Sequence, residues 1–577
     1  MRCAMRCATR WATTWATTRI MRIALGVFAA VLFFVLVQPG RAQTLTGTVS
    51  SAAEGAMEGV LVSAQKDGSP ITVTVVSDAS GHFRFPDGRL SPGHYALRIR
   101  AIGYDLDGPQ SVDLGATARD VAIRLRKTSD LAAQLTNTEW FMSMPGTAED
   151  KRPLIECMSC HSFERIVRST YDADSFVPVL KRMAQYANNT IQARVQSRVA
   201  ARDVNDASVR KLAAYLATVN LSRGPVWNYE LRTLPRPKGR ATRVVVTEYD
   251  LPRKTIAPHD VRIDRNGQNG SGPNGSGPNG SGHVWYSDFV ENFLGELDPQ
   301  TGAVTEYPIP VAKPGFPAGT LDLEPDADGN LWLALMFQTG LARFDMARKT
   351  FKIFPLPAAL NDDAMQQSMV MPASASVDGK VWTNDVARQS IMRLDTKTGA
   401  YERINPFAFL GNSHLHAPYG MAADKANDLY FMDFGGEAVG RVDAKSLAPT
   451  LFPTPTEKSR PRRTMLDAQG HLWFTEFAAN KLAMFDLKTE AFKEWAVPTP
   501  HTYPYDVFRD KNGELWSGGM ASDRVLRFDP QTGQSVEYLL PRPTNIRRVF
   551  VDDSTSPVTF WAGNNHGAAI VRLEPQD

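Results

Sequence analysis

Asp467-Ala-Gln-Gly-His-Leu-Trp-Phe-Thr-Glu-Phe-Ala-Ala-Asn-Lys-Leu-Ala-Met-Phe-Asp486 reads as one unit of a repeating series. An Asp-x-x-Gly turn comes first, an apolar-aromatic pair then opens a strand, and a second strand ends on an apolar-Asp pair. The apolar-aromatic pair recurs at Val284-Trp285, Leu331-Trp332, Val381-Trp382, Leu429-Tyr430, Leu472-Trp473, Leu515-Trp516 and Phe560-Trp561, so the aromatics are spaced by 47, 50, 48, 43, 43 and 45 residues. The closing pair recurs at Leu297-Asp298, Phe344-Asp345, Leu394-Asp395, Val442-Asp443, Phe485-Asp486, Phe528-Asp529 and Leu573-Glu574. Four strand-sized pieces in each of seven such units predict a seven-bladed β-propeller over residues 241–577.

The last unit ends one strand short, after Ile570-Val-Arg-Leu573, while Arg243-Val-Val-Val-Thr-Glu-Tyr249 is a spare strand at the start. That strand is expected to complete the last blade and remove two open sheet edges. Asn266 to Gly282, with its Asn-Gly-Ser-Gly-Pro repeats, reads as a hairpin insertion in the first blade.

Upstream lies a Pro-containing connector, 223–240, and before it helical text over 130–222. Phe176, Val179, Leu180 and Met183 recur at helical spacing, as do Val209, Leu212, Ala213, Leu216 and Val219, with Asp206 as an acceptor at the start of the second helix. This segment also holds Cys157-Met158-Ser159-Cys160-His161. Two thiols so spaced can each add across a vinyl group of haem, with His161 as proximal iron ligand, which predicts one covalent haem c. Half of a zinc site and a redox dithiol are the alternatives. The remaining cysteines, Cys3 and Cys7, are remote, and the motif does not open a helix after a strand. For the sixth iron position the expected ligand is Met183, with Met142 and Met144 behind it. The competing reading of Met183 is a core residue of its helix. With its CxxCH helix, middle helix and closing Tyr-Leu-Ala helix, the segment resembles a small class I cytochrome c.

Residues 44–126 alternate as strands between Gly and Pro-Gly turns and predict a β-sandwich. Ser77-Asp-Ala-Ser-Gly-His-Phe-Arg-Phe85, Pro92-Gly-His-Tyr95 and Gly103-Tyr104 resemble the carboxypeptidase regulatory-like (transthyretin-like) domain, in which such residues form turns and core. His82 and His94 accordingly read as surface strand residues. The fold class is therefore multidomain and mainly β: a β-sandwich, a small all-α cytochrome c and a seven-bladed propeller.

Met21-Arg-Ile, the apolar run Ala24 to Val37 and Pro39-Gly-Arg-Ala-Gln43 read as a secretory signal within 1–42, cleaved after Ala42, with Met21 as the true start. A periplasmic or otherwise exported protein follows, with membrane contact only if the signal stays uncleaved. The formal net charge is +3, from 64 Lys and Arg against 61 Asp and Glu, which gives no argument for nucleic acid as a partner.

Gly470-His-Leu-Trp-Phe-Thr-Glu-Phe-Ala-Ala-Asn-Lys-Leu482 resembles the virginiamycin B lyase propeller. That resemblance implies a Mg ion held near a His on one blade and a Glu-x-His ahead of the Trp-Phe-Thr-Glu carboxylate on another. Glu476 matches the carboxylate, but Arg460 and Arg462 stand at the Glu-x-His positions, and two Arg repel a cation. His259 and Asp288 are the nearest substitutes, so His259, Asp288 and Glu476 are the catalytic candidates. Arg462, Arg463, Arg547 and Arg548, with His259, Tyr419 and Tyr505, fall just ahead of the innermost strands. They are expected either to bind a small carboxylate or phosphate at the channel mouth or to satisfy acids of neighbouring blades. His414, His416, His501 and His566 read as loop histidines.

These residues predict an exported haem protein that passes single electrons to a redox partner, tethered to a propeller that binds a substrate or partner. The alternatives are an enzyme, lyase or haem-coupled dehydrogenase, working at the propeller mouth, and a binding scaffold.

Overall fold

The computed structural model of the chain describes residues 44–115, 117–263, 282–411 and 415–577. The signal region with Cys3 and Cys7, most of the first-blade insertion, and His414 lie outside the described residues.

Period-2 burial builds the N-terminal sandwich. Leu45–Ser51 buries every second residue and pairs in parallel with Arg119–Lys127, which alternates in the same way. One sheet holds these two strands with Gly55–Ala56, His82–Arg84 and Tyr104–Gly108. Facing it are Ile71–Val76, Leu61–Lys66, Gly93–Arg100 and Ser111–Leu114, and the inner faces share a core that includes Val49, Val62, Phe83, Phe85 and Ile123. His82 and His94 are exposed, as expected.

The propeller-like region consists of six separate four-stranded antiparallel sheets and a seventh four-stranded blade that is part of a larger sheet. Each innermost strand packs on the next, and Pro258–Ile263 of the first blade packs on Ile546–Asp552 of the last, so the ring is closed. Every repeat aromatic lies on the second strand of its blade and is buried. The Asp-x-x-Gly turns exist for this aromatic: Asp326, Asp467 and Asp510 accept the indole N–H of Trp332, Trp473 and Trp516 at 2.9, 2.8 and 2.9 Å. A buried indole thereby keeps its donor satisfied.

Val244–Asp250 completes the last blade by pairing antiparallel with Ala569–Pro575. Its other edge pairs with Ile71–Val76 of the sandwich. The sandwich is therefore no separate module, and one eight-stranded sheet runs from the last blade into it.

Between the two β regions, 130–222 is helical, with Asn137–Ser143, Ala148–Lys151, Leu154–Cys157, Glu164–Val167, Ala173–Ala184 and Asp206–Val219. Thr136 with Glu139 and Thr147 with Asp150 form reciprocal capping boxes. The last helix is capped by Asn205, one residue earlier than expected, while Asp206 pairs with Lys181 at 2.8 Å. Val209, Ala213, Leu216 and Val219 face inward as the spacing predicts. On Ala173–Ala184 only Phe176 is fully buried, and Met183 is 36% exposed. No helix among the described residues is long and apolar enough to cross a membrane.

Candidate functional site

The CxxCH pentapeptide begins at the end of the short helix Leu154–Cys157 and is seated directly on the propeller. Inside the helical segment, Asn137 Oδ1 accepts the N–H of Phe163 at 2.9 Å and fixes the exit of the loop. From the propeller, Asn545 Nδ2 donates to the carbonyl of Met158 at 3.2 Å. Arg547 Nη2 and His566 Nε2 both donate to the carbonyl of Ser159, at 2.9 and 3.1 Å. Arg460 pairs with Glu156 at 3.1 Å. Around this contact the helical segment covers the propeller mouth: Phe141 stacks on His501 at 5.3 Å, and Gln196 exchanges two hydrogen bonds with the backbone of Ala318. Helical and propeller residues share one apolar cluster, in which Phe141, Met158 and Phe163 join Phe289, Phe477 and Tyr505.

Cys160 and His161 line a cavity of about 810 Å³ bounded by all three regions, including Ile102, Leu135, Ile191, Lys254, Arg524 and His566. His161 Nδ1 lies 2.9 Å from the carbonyl oxygen of Ser162. A carbonyl only accepts, so Nδ1 carries the proton and Nε2 keeps its lone pair. Burial, with help from Arg165, holds the imidazole below its ordinary pKa and therefore neutral. Cys157 and Cys160 are not joined to each other. Burial first, then Glu156 and Cys160, pushes the Cys157 thiol up to about 12, and burial also raises Cys160. A reactive dithiol needs the opposite shift. Among the described residues no group of three or more His, Cys, Asp or Glu is placed to hold a metal ion. Met183, Met142 and Met144 all lie outside the cavity lining.

The propeller residues expected ahead of the innermost strands lie within them. In five blades the pairing register shifts across the start of that strand, at Pro258/Val261, Pro418/Met421, Pro461/Thr464, Pro504/Val507 and Ile546/Val549. Bulges of this kind re-aim side chains, and here two successive residues in four of the strands, with Tyr419 alone in the fifth, join one buried network. In its first tier Tyr419 and Tyr505 hydroxyls are 2.6 Å apart, Tyr505 lies 3.1 Å from His259 Nε2, and His259 Nδ1 lies 2.6 Å from Asp260. The carboxylate accepts from Nδ1–H, so Nε2 accepts the Tyr505 hydroxyl and Tyr505 accepts that of Tyr419. Burial, then Arg547, Arg463 and Arg462, hold His259 well below its ordinary value.

The four arginines divide into two pairs. Arg463 meets Asp322 at 2.6 Å and Asp260 at 3.3 Å, and Arg548 meets Glu324 at 2.6 Å and Asp506 at 3.2 Å. Arg463 is thus neutralised by acids of the first and second blades, across the channel from its own, and Arg548 by one acid of the second blade and one of the adjacent sixth, which is the acid-pairing alternative expected for these arginines. Among the described residues no carboxylate pairs with Arg462 or Arg547. Arg462 lies 3.9 Å over the Tyr505 ring and 4.3 Å over both Phe434 and Phe477, with Nε unpartnered. Arg547 is committed to Asn545, the Ser159 carbonyl and the face of Phe289. The channel mouth expected to receive a small anion is thus occupied by the chain's own helical segment.

The three catalytic candidates do not converge: both ring nitrogens of His259 are taken by Asp260 and Tyr505. Asp288 accepts from the N–H groups of Ala257 and Val290 as the cap of its turn, a role Asp433 repeats in another blade. Burial pushes Asp288 up to about 7. Glu476 is fully buried with both carboxyl oxygens unpartnered, and burial, then Glu494, pushes it up to about 8. A carboxyl whose pKa rises on folding binds more protons in the native state, so its contribution to stability is present at low pH. That contribution is lost as pH rises from the unfolded value of 4.5 through about 8. Glu476→Gln is therefore expected to flatten the fall in stability between those limits, measured as denaturant midpoints along a pH series.

Sequence reasoning missed Asp260, Asp322, Asp506 and Glu324 as partners of the arginines, and Asn545 and His566 as holders of the CxxCH loop. Comparison with known proteins matches residues 412–577 to the Virginiamycin B lyase family and residues 44–129 to the Carboxypeptidase regulatory-like domain. Among solved structures, virginiamycin B lyase from Staphylococcus aureus is 20% identical over 57% of this chain and 99% of its own, with a TM-score of 0.46. A streptogramin B lyase structure is 18% identical over 58% and 99%, at 0.48. Comparison with curated proteins gives no match. Residues 412–577 are thus part of a virginiamycin B lyase-like propeller, and 44–129 form a carboxypeptidase regulatory-like domain.

Proposed function

We propose that the chain is an exported c-type haem protein that passes single electrons, with 130–222 as its cytochrome c segment and the propeller as the platform that carries it. The observation that carries the reading is the CxxCH loop itself: Cys160 and His161 border one cavity, and His161 is oriented by the Ser162 carbonyl so that Nε2 is left for iron. The surroundings fit the group. Ile102, Leu135 and Ile191 give the cavity apolar walls, and Arg524 borders it with its Nε unpartnered, a cation suited to a haem carboxylate. Haem supplies the one-electron couple. The chain's own residues would bind it through Cys160, which borders the cavity, and through Cys157, three residues earlier and outside the lining, and would orient it through His161.

For the sixth position we infer Lys254 or His566 rather than Met183. Lys254 and His566 are the cavity-lining nitrogen donors in the propeller, whereas Met183 is turned to solvent. Met183→Ala is expected to leave the visible spectrum unchanged. A sulfur-to-iron charge-transfer band in the oxidised wild type that disappears in this variant would return the position to Met183.

A lyase or dehydrogenase at the propeller mouth is the weaker alternative. The Glu-x-His positions are Arg460, paired with Glu156, and Arg462, stacked among aromatics, and neither arginine suits the Mg site the family resemblance implies. The redox partner is a further protein, and the exported location follows from the signal sequence. The deciding experiment is production of the full chain in a host with c-type maturation, followed by a haem stain on a denaturing gel and a metal analysis. Stained protein with stoichiometric iron supports the cytochrome, and unstained protein carrying stoichiometric Mg supports the enzyme.

A further inference from the structure

We propose that the propeller sets the reduction potential of the haem: Arg547, a buried cation without an acid partner, lies on the carbonyl of Ser159 inside the attachment loop and favours the reduced iron. The inference rests on the haem reading above. It starts from a contrast among four arginines on equivalent strands. Arg463 and Arg548 each meet two carboxylates, so their charges are cancelled within the channel. Arg547 lies one residue before Arg548 on the same strand and, among the described residues, receives no carboxylate. Its Nε donates to Asn545 Oδ1 at 3.0 Å, its Nη2 donates to Ser159 O at 2.9 Å, and its guanidinium lies 4.5 Å over Phe289. All of these partners are neutral, and Arg547 is only 4% exposed. A buried guanidinium is costly unless something requires its charge.

The loop is held against this cation. Asn545 and His566, from the same blade, grip the carbonyls of Met158 and Ser159. Ser159 directly precedes Cys160, one of the two proposed attachment points, so the cation lies against the backbone of the attachment loop itself. Reduction lowers the charge at iron by one. A fixed cation beside the attachment loop in a poorly screened site therefore stabilises the reduced state, by about tenfold in the reduced-to-oxidised ratio for a nearby unit charge at an effective dielectric near 20.

The test is an equilibrium redox titration of the haem-loaded full chain, followed by absorbance at constant pH and ionic strength. Arg547→Met is expected to reduce the reduced-to-oxidised ratio about tenfold at a fixed ambient potential, which is about 59 mV for one electron. Arg547→Lys should stay near the wild type, because it keeps the charge. If the Met variant does not fold, Arg547→Gln, which retains a donor for Ser159, takes its place with the same expected fall. A stained, folded charge-free variant at the wild-type potential overturns the proposal. So does an equal fall in the Lys and charge-free variants, since the hydrogen bond and not the charge would then be responsible. A wild-type chain without haem stain refutes the haem reading itself and is distinguishable from both.

Discussion

The haem stain is expected to disappear completely when Cys157 and Cys160 are both replaced by Ala, while the rest of the protein keeps its fold. The expectation has two parts with separate physical grounds. Covalent attachment needs the two sulfurs and nothing else in the loop can replace them. The seat of the loop, in contrast, depends on backbone carbonyls: Asn545, Arg547 and His566 address Met158 O and Ser159 O, and the Cys contribution is the packing of Cys157 on the shared apolar cluster, most of which Ala retains. Far-ultraviolet dichroism and thermal unfolding should therefore follow the wild-type apoprotein. Single changes should leave one thioether and a weaker stain, and His161→Ala should keep the stain but lose the proximal nitrogen, seen as a changed Soret band.

Arg463→Met is expected to be the most damaging single change in the propeller, costing about 3–5 kcal/mol, because it leaves Asp322 and Asp260 buried without their cation. Arg462→Gln, the adjacent residue, should cost about 0.5–2 kcal/mol, the range of cation–π contacts, since it has no ion pair to break. Urea unfolding followed by tryptophan fluorescence measures both. Equal losses in the two variants would refute the division into neutralised and acid-free arginines.

Much of the propeller was legible because its period is carried by large residues with one role each, the Asp-x-x-Gly turn and the aromatic it holds. The buried network was half legible. Pro258-His-Asp260, Pro418-Tyr-Gly420, Pro461-Arg-Arg463, Pro504-Tyr-Asp506 and Ile546-Arg-Arg548 align as the openings of five innermost strands. Aligned in this way, the third positions pair Asp with Arg, Asp260 with Arg463 and Asp506 with Arg548, a complementarity visible only once the strand starts are superposed. What alternation could not foresee is the bulge that brings both positions into one network. Met183, which lies outside the cavity lining, was less legible for a different reason. Helical spacing gives a face but not its direction, and the helical segment turns its apolar sides toward the propeller as well as into itself. The seating of the CxxCH loop on the last blade joins Met158 to Asn545 and Ser159 to His566, a long-range contact that no local pattern encodes.

The eight-stranded sheet that joins the sandwich to the last blade also fixes an order of assembly. A chain that emerges from its amino end completes the sandwich first and leaves Ile71–Val76 as an open template. Val244–Asp250 can dock on that template as soon as it appears, but its second neighbour, Ala569–Pro575, is the last strand to arrive. The ring must wait for the carboxyl end, and so must Asn545, Arg547 and His566. Until those residues arrive, the cysteines stand on an unlatched segment, which is when the proposed haem attachment would find them open. The blade that closes the protein also shuts that window.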